Sequence, residues 1–292
     1  MTLSRRRLLT ISAAFMCAPA FAQAQTWQGR AFGGDISLTL TGPRSETALA
    51  LDHARKLIRL IEGLFSLYDT KSALSRLNQN GVLSNPDDHM NALLTHADIA
   101  YRQTSGLFDP TIQPLWAALA NRTDPAPARR LIGWDRVRFD TSTVALDAGQ
   151  ALTFNGIAQG YATDLVTAAL KQRGLTQVLV NIGEHRALGG PWKLALADPT
   201  IGHVGTRTIK DSAIATSSPS ALSLGDQSHI LHPNHHAIWS TVSVEARTAT
   251  SADSLSTALV FAPKDQVGAI KDSDPDVKRI TLIDLAGDVV TL

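Results

Sequence analysis

Between residues 35 and 40 apolar and polar side chains alternate, Ile36, Leu38 and Leu40 against Asp35, Ser37 and Thr39, the two-residue period of a half-buried strand. Gly42-Pro43 ends it, and the period then lengthens. From Glu46 to about Leu67, Leu49, Ala50, Leu57, Leu60, Ile61 and Leu64 recur at helical spacing, with Ser45 as the expected N-cap. Ser72 to Asn78 reads as a short helical turn closed at Asn80-Gly81, and His89 to Thr104 as a second long helix with Met90, Leu93, Leu94, Ala97 and Tyr101 along one side. Gly106 stops that helix, and Pro110 biases Asp109 towards an extended backbone, so residues 105–111 form an ordered loop presenting Phe108 and Asp109. Asn121 to Arg130, with Pro125 and Pro127, is the expected internal linker.

Beyond it, Arg136–Phe139 and Thr143–Leu146 flank Asp140-Thr141-Ser142 as a hairpin. Residues 152–164 read as a short apolar strand, an Asn155-Gly156 turn, and a helix from Ile157 to about Arg173 capped at Gly174. Such a turn lets backbone groups approach a ligand closely, and N–H groups at a helix start favour an anion. Short strands are expected at Gln177–Ile182, Trp192–Ala197, Arg207–Lys210, Ala213–Thr216 and His229–Leu231, then a strand at Thr241–Ala246 and helices at Ala252–Phe261 and Lys264–Lys271. Arg279–Asp284 and Asp288–Leu292 form a closing hairpin. Helices and strands mix without strict βαβ alternation, which predicts an α+β fold.

Composition narrows the function. The 292 residues can bury a sizeable core, and 44% hydrophobic with 18% charged residues is ordinary for a globular protein. With 27 Lys+Arg against 26 Asp+Glu there is no global field to recruit nucleic acid. Arg5-Arg6-Arg7 before the apolar run Leu8–Ala20, and small residues around Ala22 and Ala24, resemble a twin-arginine export signal over residues 1–24. A periplasmic location is therefore expected, with cleavage after Ala22 or Ala24. The only cysteine, Cys17, lies in that segment, so disulfide, thiolate and cysteine–metal chemistry are excluded from the expected mature chain.

Two constellations could carry chemistry. Asp253 and Thr257 are four apart, so a helix puts both oxygens on one face, where they suit a hard cation such as magnesium. The competing reading has Asp253 capping its own helix and Thr257 merely exposed. The other constellation is His229-Ile230-Leu231-His232-Pro233-Asn234-His235-His236. Its spacing matches no defined zinc motif, which favours a polar loop over a transition-metal site, while His229 alone could act as a general acid or base. G-x-S-x-G, P-loop and H-E-x-x-H motifs are absent, which removes simple hydrolase, nucleotide-kinase and zincin readings.

Taken in order, Phe32-Gly33-Gly34, Phe65-Ser66-Leu67-Tyr68, Ser75-Arg76-Leu77-Asn78, Ser105-Gly106-Leu107-Phe108-Asp109-Pro110-Thr111, the 152–162 stretch, Asn181-Ile182-Gly183, Trp192 with Asp198-Pro199, Ala213–Ser217, Ser228–Leu231 and Ala252–Ala258 resemble the ApbE family of FAD:protein FMN transferases. The resemblance implies one catalytic domain over residues 25–292, with mixed sheets, packed helices and an FAD site in a cleft between two lobes. It implies that FAD is cleaved with magnesium, that FMN passes to a Thr or Ser of a partner flavoprotein, and that AMP is released. By matching position the metal would be held by the carbonyl of Gly156 and by Asp253 and Thr257, with Ser256 adjacent. The flavin and phosphates would lie against Phe32, Tyr68, Leu107, Phe108, Asp109, Thr153, Gln159 and Ile230. His229 is expected near the acceptor hydroxyl.

Some positions depart from the family's pattern. Thr153, Asn155 and Gln159 stand where the family has Asp, Gly and Lys; His232 replaces an Asp and His235-His236 a Thr-Gly. These departures are similar to the NosX subgroup, which implies the membrane flavoprotein NosR as acceptor. They also leave open a protein that binds or delivers FAD without transfer, or an FAD pyrophosphatase.

Overall fold

The structure, a computed structural model, describes residues 24–292, so the expected signal lies outside the described residues apart from Ala24. β1 (Ala24–Ala31) and β2 (Gly34–Thr41) make a hairpin turning at Phe32 and Gly33, both at positive φ. The sequence does not announce β1, because an edge strand reading Gln-Thr-Trp-Gln-Gly-Arg has no apolar alternation; its register comes from β2. α1 (Arg44–Phe65) follows, burying Thr47, Ala50, Ala54, Ile58, Ile61 and Phe65. That stripe is rotated from the expected one: Leu49 and Leu60 face solvent. Ser45 does not cap the helix, which starts at Pro43 without a side-chain cap.

α2 (Ala73–Asn80) is capped by Ser72 and closed by Gly81 at φ 72°. β3 (Val82–Ser84) leads to α3 (Asp88–Gln103), and a 3-10 turn at Pro110–Ile112 to α4 (Gln113–Ala120). The expected linker at 121–130 contains α5 (Pro125–Arg129), whose Ala128 packs with Leu115 and Ala118. Proline at the first helical position starts this helix rather than breaking it. β4 (Arg138–Phe139) and β5 (Thr143–Ala145) are the expected hairpin, with β3 added on the other edge of β5.

Residues 151–154 join no sheet, contrary to the strand expected there. α6 (Ala158–Gln172), β6 (Val178–Asn181), β7 (His185–Leu188), the hairpin β8 (Trp192–Asp198) and β9 (Gly202–Ile209), and β10 (Ala213–Ser217) follow. A small hairpin, β11 (Ser223–Leu224) with β12 (Gln227–Ser228), ends where His229–Leu231 was expected to be strand; those residues are irregular. The chain closes with β13 (Trp239–Ala246), α7 (Ala249–Leu259), α8 (Lys264–Ser273), β14 (Val277–Asp284) and β15 (Val289–Thr291).

Eight strands form one sheet in the order β1-β2-β6-β7-β10-β13-β14-β15, every neighbour antiparallel. Both faces of its centre are covered. Along β6, Val178 and Val180 enter the main core under the helices, whereas Leu179 joins Ala187, Leu194, Ile209 and Ile214 beneath the β8–β9 hairpin. That is why β6 reads as a continuous apolar run rather than an alternation. α7 lies on β10 and β13, and α6 lies between α7 and α1.

Candidate functional site

The site is built where α6 and α7 meet. Gly160, in the first turn of α6, has no room for a side chain: a methyl group there would lie 2.3 Å from the Ala249 carbonyl oxygen and 2.8 Å from Asp253 Cβ. This approach lets Asp253 Oδ2 accept the Gly160 N–H at 2.9 Å. Asp253 is therefore buried and serves the start of α6, not of its own helix, which Thr248 caps. Asp164 returns the arrangement, its carboxylate accepting the N–H groups of Ala249 (2.8 Å) and Thr250 (2.9 Å) and the Thr250 hydroxyl (2.6 Å), while Arg186 pairs with it.

The last turn of α7 adds hydroxyls. Ser217 Oγ, at the end of β10, lies 2.8 Å from Ser256 Oγ and 3.3 Å from Thr257 Oγ1. A methyl group on Gly156 would lie 2.8 Å from Thr257 Oγ1, so the glycine backbone sits directly on that hydroxyl. Gly156, Asp253, Ser256 and Thr257 are thus brought together as expected, with Ser217 as an additional oxygen that sequence reasoning passed over.

Burial raises the Asp253 carboxyl to about 7, against the opposing Gly160 N–H. Glu184, whose Oε2 accepts the Thr216 N–H at 3.2 Å, is pushed well above the carboxylate range by desolvation and then by Asp253. Among the described residues no Lys, Arg or His forms an ion pair with either carboxylate. Two mutually repelling, desolvated carboxylates beside three hydroxyls form an oxygen-rich, cation-poor donor set, which fits a hard divalent cation. Among the described residues no three His, Cys, Asp or Glu are grouped to hold a metal, so the fit depends on hydroxyls and backbone.

The expected flavin residues sit on the 105–111 loop, the 151–155 segment and the histidine loop, with Gln159 in the first turn of α6, Phe32 at the β1–β2 turn and Tyr68 after α1. Asn78 clamps the 151–155 segment, donating to the Leu152 carbonyl (2.8 Å) and accepting the Leu152 N–H (2.7 Å), and Thr153 N–H reaches the Pro110 carbonyl at 2.9 Å. These bonds supply the backbone partners that a sheet would have given residues 151–154. Thr153 Oγ1 accepts the Asn155 N–H at 3.2 Å, so the hydroxyl braces its own turn. Gln159 lays its amide over Gly183: a methyl there would lie 2.3 Å from Gln159 Nε2, and φ is +92°. In the 105–111 loop, Leu107 and Phe108 are buried, and Phe108 N–H bonds to Thr104 Oγ1 at 3.0 Å. Asp109 is raised by burial, though Thr111's hydroxyl and N–H oppose the shift; it starts the 3-10 turn. Phe32 is partly buried at the β1–β2 turn, its N–H held by Glu62 at 2.7 Å, and Tyr68 stands exposed after α1.

The third loop carries the histidines. His229 Nδ1 lies 3.1 Å from the Leu222 carbonyl oxygen and 3.2 Å from that of Pro219. Carbonyl oxygens only accept, so the ring proton is on Nδ1 and the lone pair on Nε2. Burial lowers the His229 pKa, against those two carbonyls, which keeps the ring neutral and able to take a proton. Partly buried Ile230 packs on the main core, its carbonyl accepting from Ser228 Oγ at 2.6 Å. His232 Nδ1 accepts the N–H groups of Asn234 and His235, both at 3.1 Å, as an aspartate does in an Asx-turn. Burial, followed by His235, lowers the His232 pKa to about 4, against a hydrogen bond to the Gly106 backbone. His232 thereby joins the histidine loop to the Leu107–Phe108 loop. A small pocket of about 110 Å³ runs beside Ser228, Ile230 and His232–His236. A larger cavity of about 390 Å³, bounded by Asp98, Arg102, Trp134 and Asp135, touches none of these residues.

Comparison with known proteins agrees with this architecture. The ApbE family model matches residues 32–281. The FAD:protein FMN transferase of Salmonella typhimurium is 25% identical over 275 residues, covering 81% of this chain and 78% of the relative. Among solved structures, the flavin transferase ApbE from Vibrio cholerae superposes with a TM-score of 0.80 at 21% identity, covering 93% of this chain and 97% of the other. The apo flavinyl transferase ApbE of Pseudomonas stutzeri gives 0.78 at 23% identity, covering 93% and 95%. Both likenesses establish the α+β fold.

Proposed function

The chain belongs to the ApbE family, and from that premise we propose that it is an FAD:protein FMN transferase. FAD is the substrate, a Ser or Thr hydroxyl of a partner flavoprotein the acceptor, and AMP the leaving product. In the reaction the acceptor oxygen bonds to the FMN phosphorus, the P–O bond to the AMP phosphate breaks, and the hydroxyl proton must leave. His229 Nε2, carrying a lone pair on a neutral ring, is the group suited to take that proton. The observation that carries the reading is Asp253, buried, fixed on the Gly160 N–H and grouped with Ser217, Ser256, Thr257 and Gly156.

Asp253, Thr257 and the Gly156 carbonyl would hold magnesium, with Ser256 adjacent. Bound there, the ion would offset charge on the pyrophosphate. Phe32, Tyr68, Leu107, Phe108, Asp109, Thr153, Gln159 and Ile230 would flank the FAD. The arginines before the apolar run support export to the periplasm by the twin-arginine route. The departures at Gln159, His232 and His235-His236 support a NosX-like enzyme with NosR as acceptor, and hence a role in nitrous-oxide reduction.

The test is to incubate the purified protein with FAD, magnesium and a NosR flavin domain. Mass spectrometry should find FMN joined to one Ser or Thr, with one AMP released per adduct. An acceptor that is labelled by another family member but stays unlabelled here refutes the proposal. Tight FAD binding without AMP would then identify a delivery protein, and free FMN with AMP a pyrophosphatase.

A further inference from the structure

We propose that Asp164 is a positioning residue for the transfer reaction, fixing the first turn of α7 on α6 and so setting where Asp253, Ser256 and Thr257 stand. The inference rests on the transfer reading and extends it to a residue outside the metal donor set. Asp164 and Asp253 close a rectangle between the two helices. Along α6, Asp164 is one turn beyond Gly160; along α7, Asp253 is about one turn beyond Ala249 and Thr250. At one end Asp253 takes the Gly160 N–H, and at the other Asp164 takes two N–H groups and a hydroxyl. Each helix therefore has first-turn donors satisfied by the other helix's carboxylate, as helix starts require.

Local capping does less. The α7 N-cap, Thr248, accepts its bond from Ser251 N–H at 3.3 Å, longer than any of Asp164's three. With Gly160 against Ala249 there is no slack between the helices, so a rotation of the first turn of α7 passes directly to Asp253 one turn on. Arg186 locks the carboxylate from the β7 side and offsets its charge, allowing Asp164 to hold α7 in a largely buried position.

The test is a Mn²⁺ titration of the FAD-loaded protein without acceptor, read by electron paramagnetic resonance. Asp164→Asn keeps the shape but turns an NH₂ towards N–H donors. Its Mn²⁺ affinity should fall at least tenfold, and excess Mg²⁺ should recover most of kcat, so the defect lies in half-saturating metal. Thr250→Val, which removes only the hydroxyl bond, should weaken Mn²⁺ severalfold and carries the test if Asp164→Asn does not fold. Arg186→Gln separates position from charge: a loosened Asp164 weakens metal binding, whereas an Asp164 acting by its charge would bind Mn²⁺ more tightly once uncovered. Wild-type affinity in folded Asp164→Asn, or tighter binding in Arg186→Gln, overturns the inference while leaving the transfer reading intact. A wild-type protein that binds no Mn²⁺ and makes no adduct overturns both.

Discussion

Replacing Gly160 by alanine tests the α6–α7 junction most directly. The new methyl would lie 2.3 Å from the Ala249 oxygen, 2.7 Å from its carbonyl carbon and 2.8 Å from Asp253 Cβ. All are backbone or Cβ atoms, so no flexible side chain can move aside. Ordinary contact needs about 3.5 Å, so the helices must part by about 1 Å. Overpacking of this kind costs about 1–3 kcal/mol, and loosening the charge-assisted Gly160 N–H bond to Asp253 about 1.5–3 kcal/mol more. Alanine's better helix propensity returns about 1 kcal/mol. The net, about 2–5 kcal/mol, lowers Tm by roughly 5–15 °C in a domain of this size. Since a shift of about 1 Å at a reacting centre can cost about a hundredfold, kcat should fall to about that extent. Gly268→Ala in α8, where a methyl meets nothing within 4 Å, is the control and should raise Tm slightly. Differential scanning calorimetry with and without magnesium reads both. A Gly160→Ala protein melting within about 2 °C of wild type, with unchanged metal affinity, would refute the argument.

His229→Gln should lower kcat by about 10²–10⁴-fold while leaving FAD affinity, measured by flavin fluorescence, within about twofold. His232→Asp should preserve the turn and stay within about 1 kcal/mol of wild type in urea unfolding, whereas His232→Leu, lacking an acceptor for the Asn234 and His235 N–H groups, should lose about 1–2 kcal/mol. Burial holds His185 at about 4 in the folded chain. As pH falls below about 6.5 the unfolded chain takes up that proton first, so stability is lost between about pH 6.5 and 4. The His185 share of the loss amounts to about 2 kcal/mol at pH 5, and the difference between urea titrations at pH 7 and pH 5 should shrink by about that much in His185→Leu, while partly buried His232 keeps its own share.

Long periodic segments and punctuation were legible in the chain: α3, α6 with its Gly174 stop, the β4–β5 hairpin and the β14–β15 hairpin stand where the pattern put them. So was the ordered series of short motifs that marks the family, and with it Gly156, Asp253, Ser256 and Thr257. What failed shares one cause. β1 has no pattern of its own, α1 leaves Leu49 and Leu60 of its expected stripe in solvent and buries Ala54, Ile58 and Phe65 instead, residues 151–154 satisfy their backbone through Asn78 and Pro110, and His229–Leu231 hangs from carbonyls of a neighbouring turn. In each case a distant part of the chain decides.

Sequence alone marked Gly156, Asp253, Ser256 and Thr257 as candidate donors, because carboxylates, hydroxyls and glycines are properties of residue type and local spacing, but it passed over Ser217. It could not determine that Asp253 is buried and bonded across to α6, that Asp164 returns the bond to α7, or that Glu184 lies near enough for the two carboxylates to repel. Those depend on Gly160 and Asp253, 93 residues apart along the chain, meeting where the glycine leaves no room for any other residue. Tertiary packing, which removes water and fixes distances between groups remote in sequence, made a helix-face pair into a desolvated cluster of carboxylates and hydroxyls.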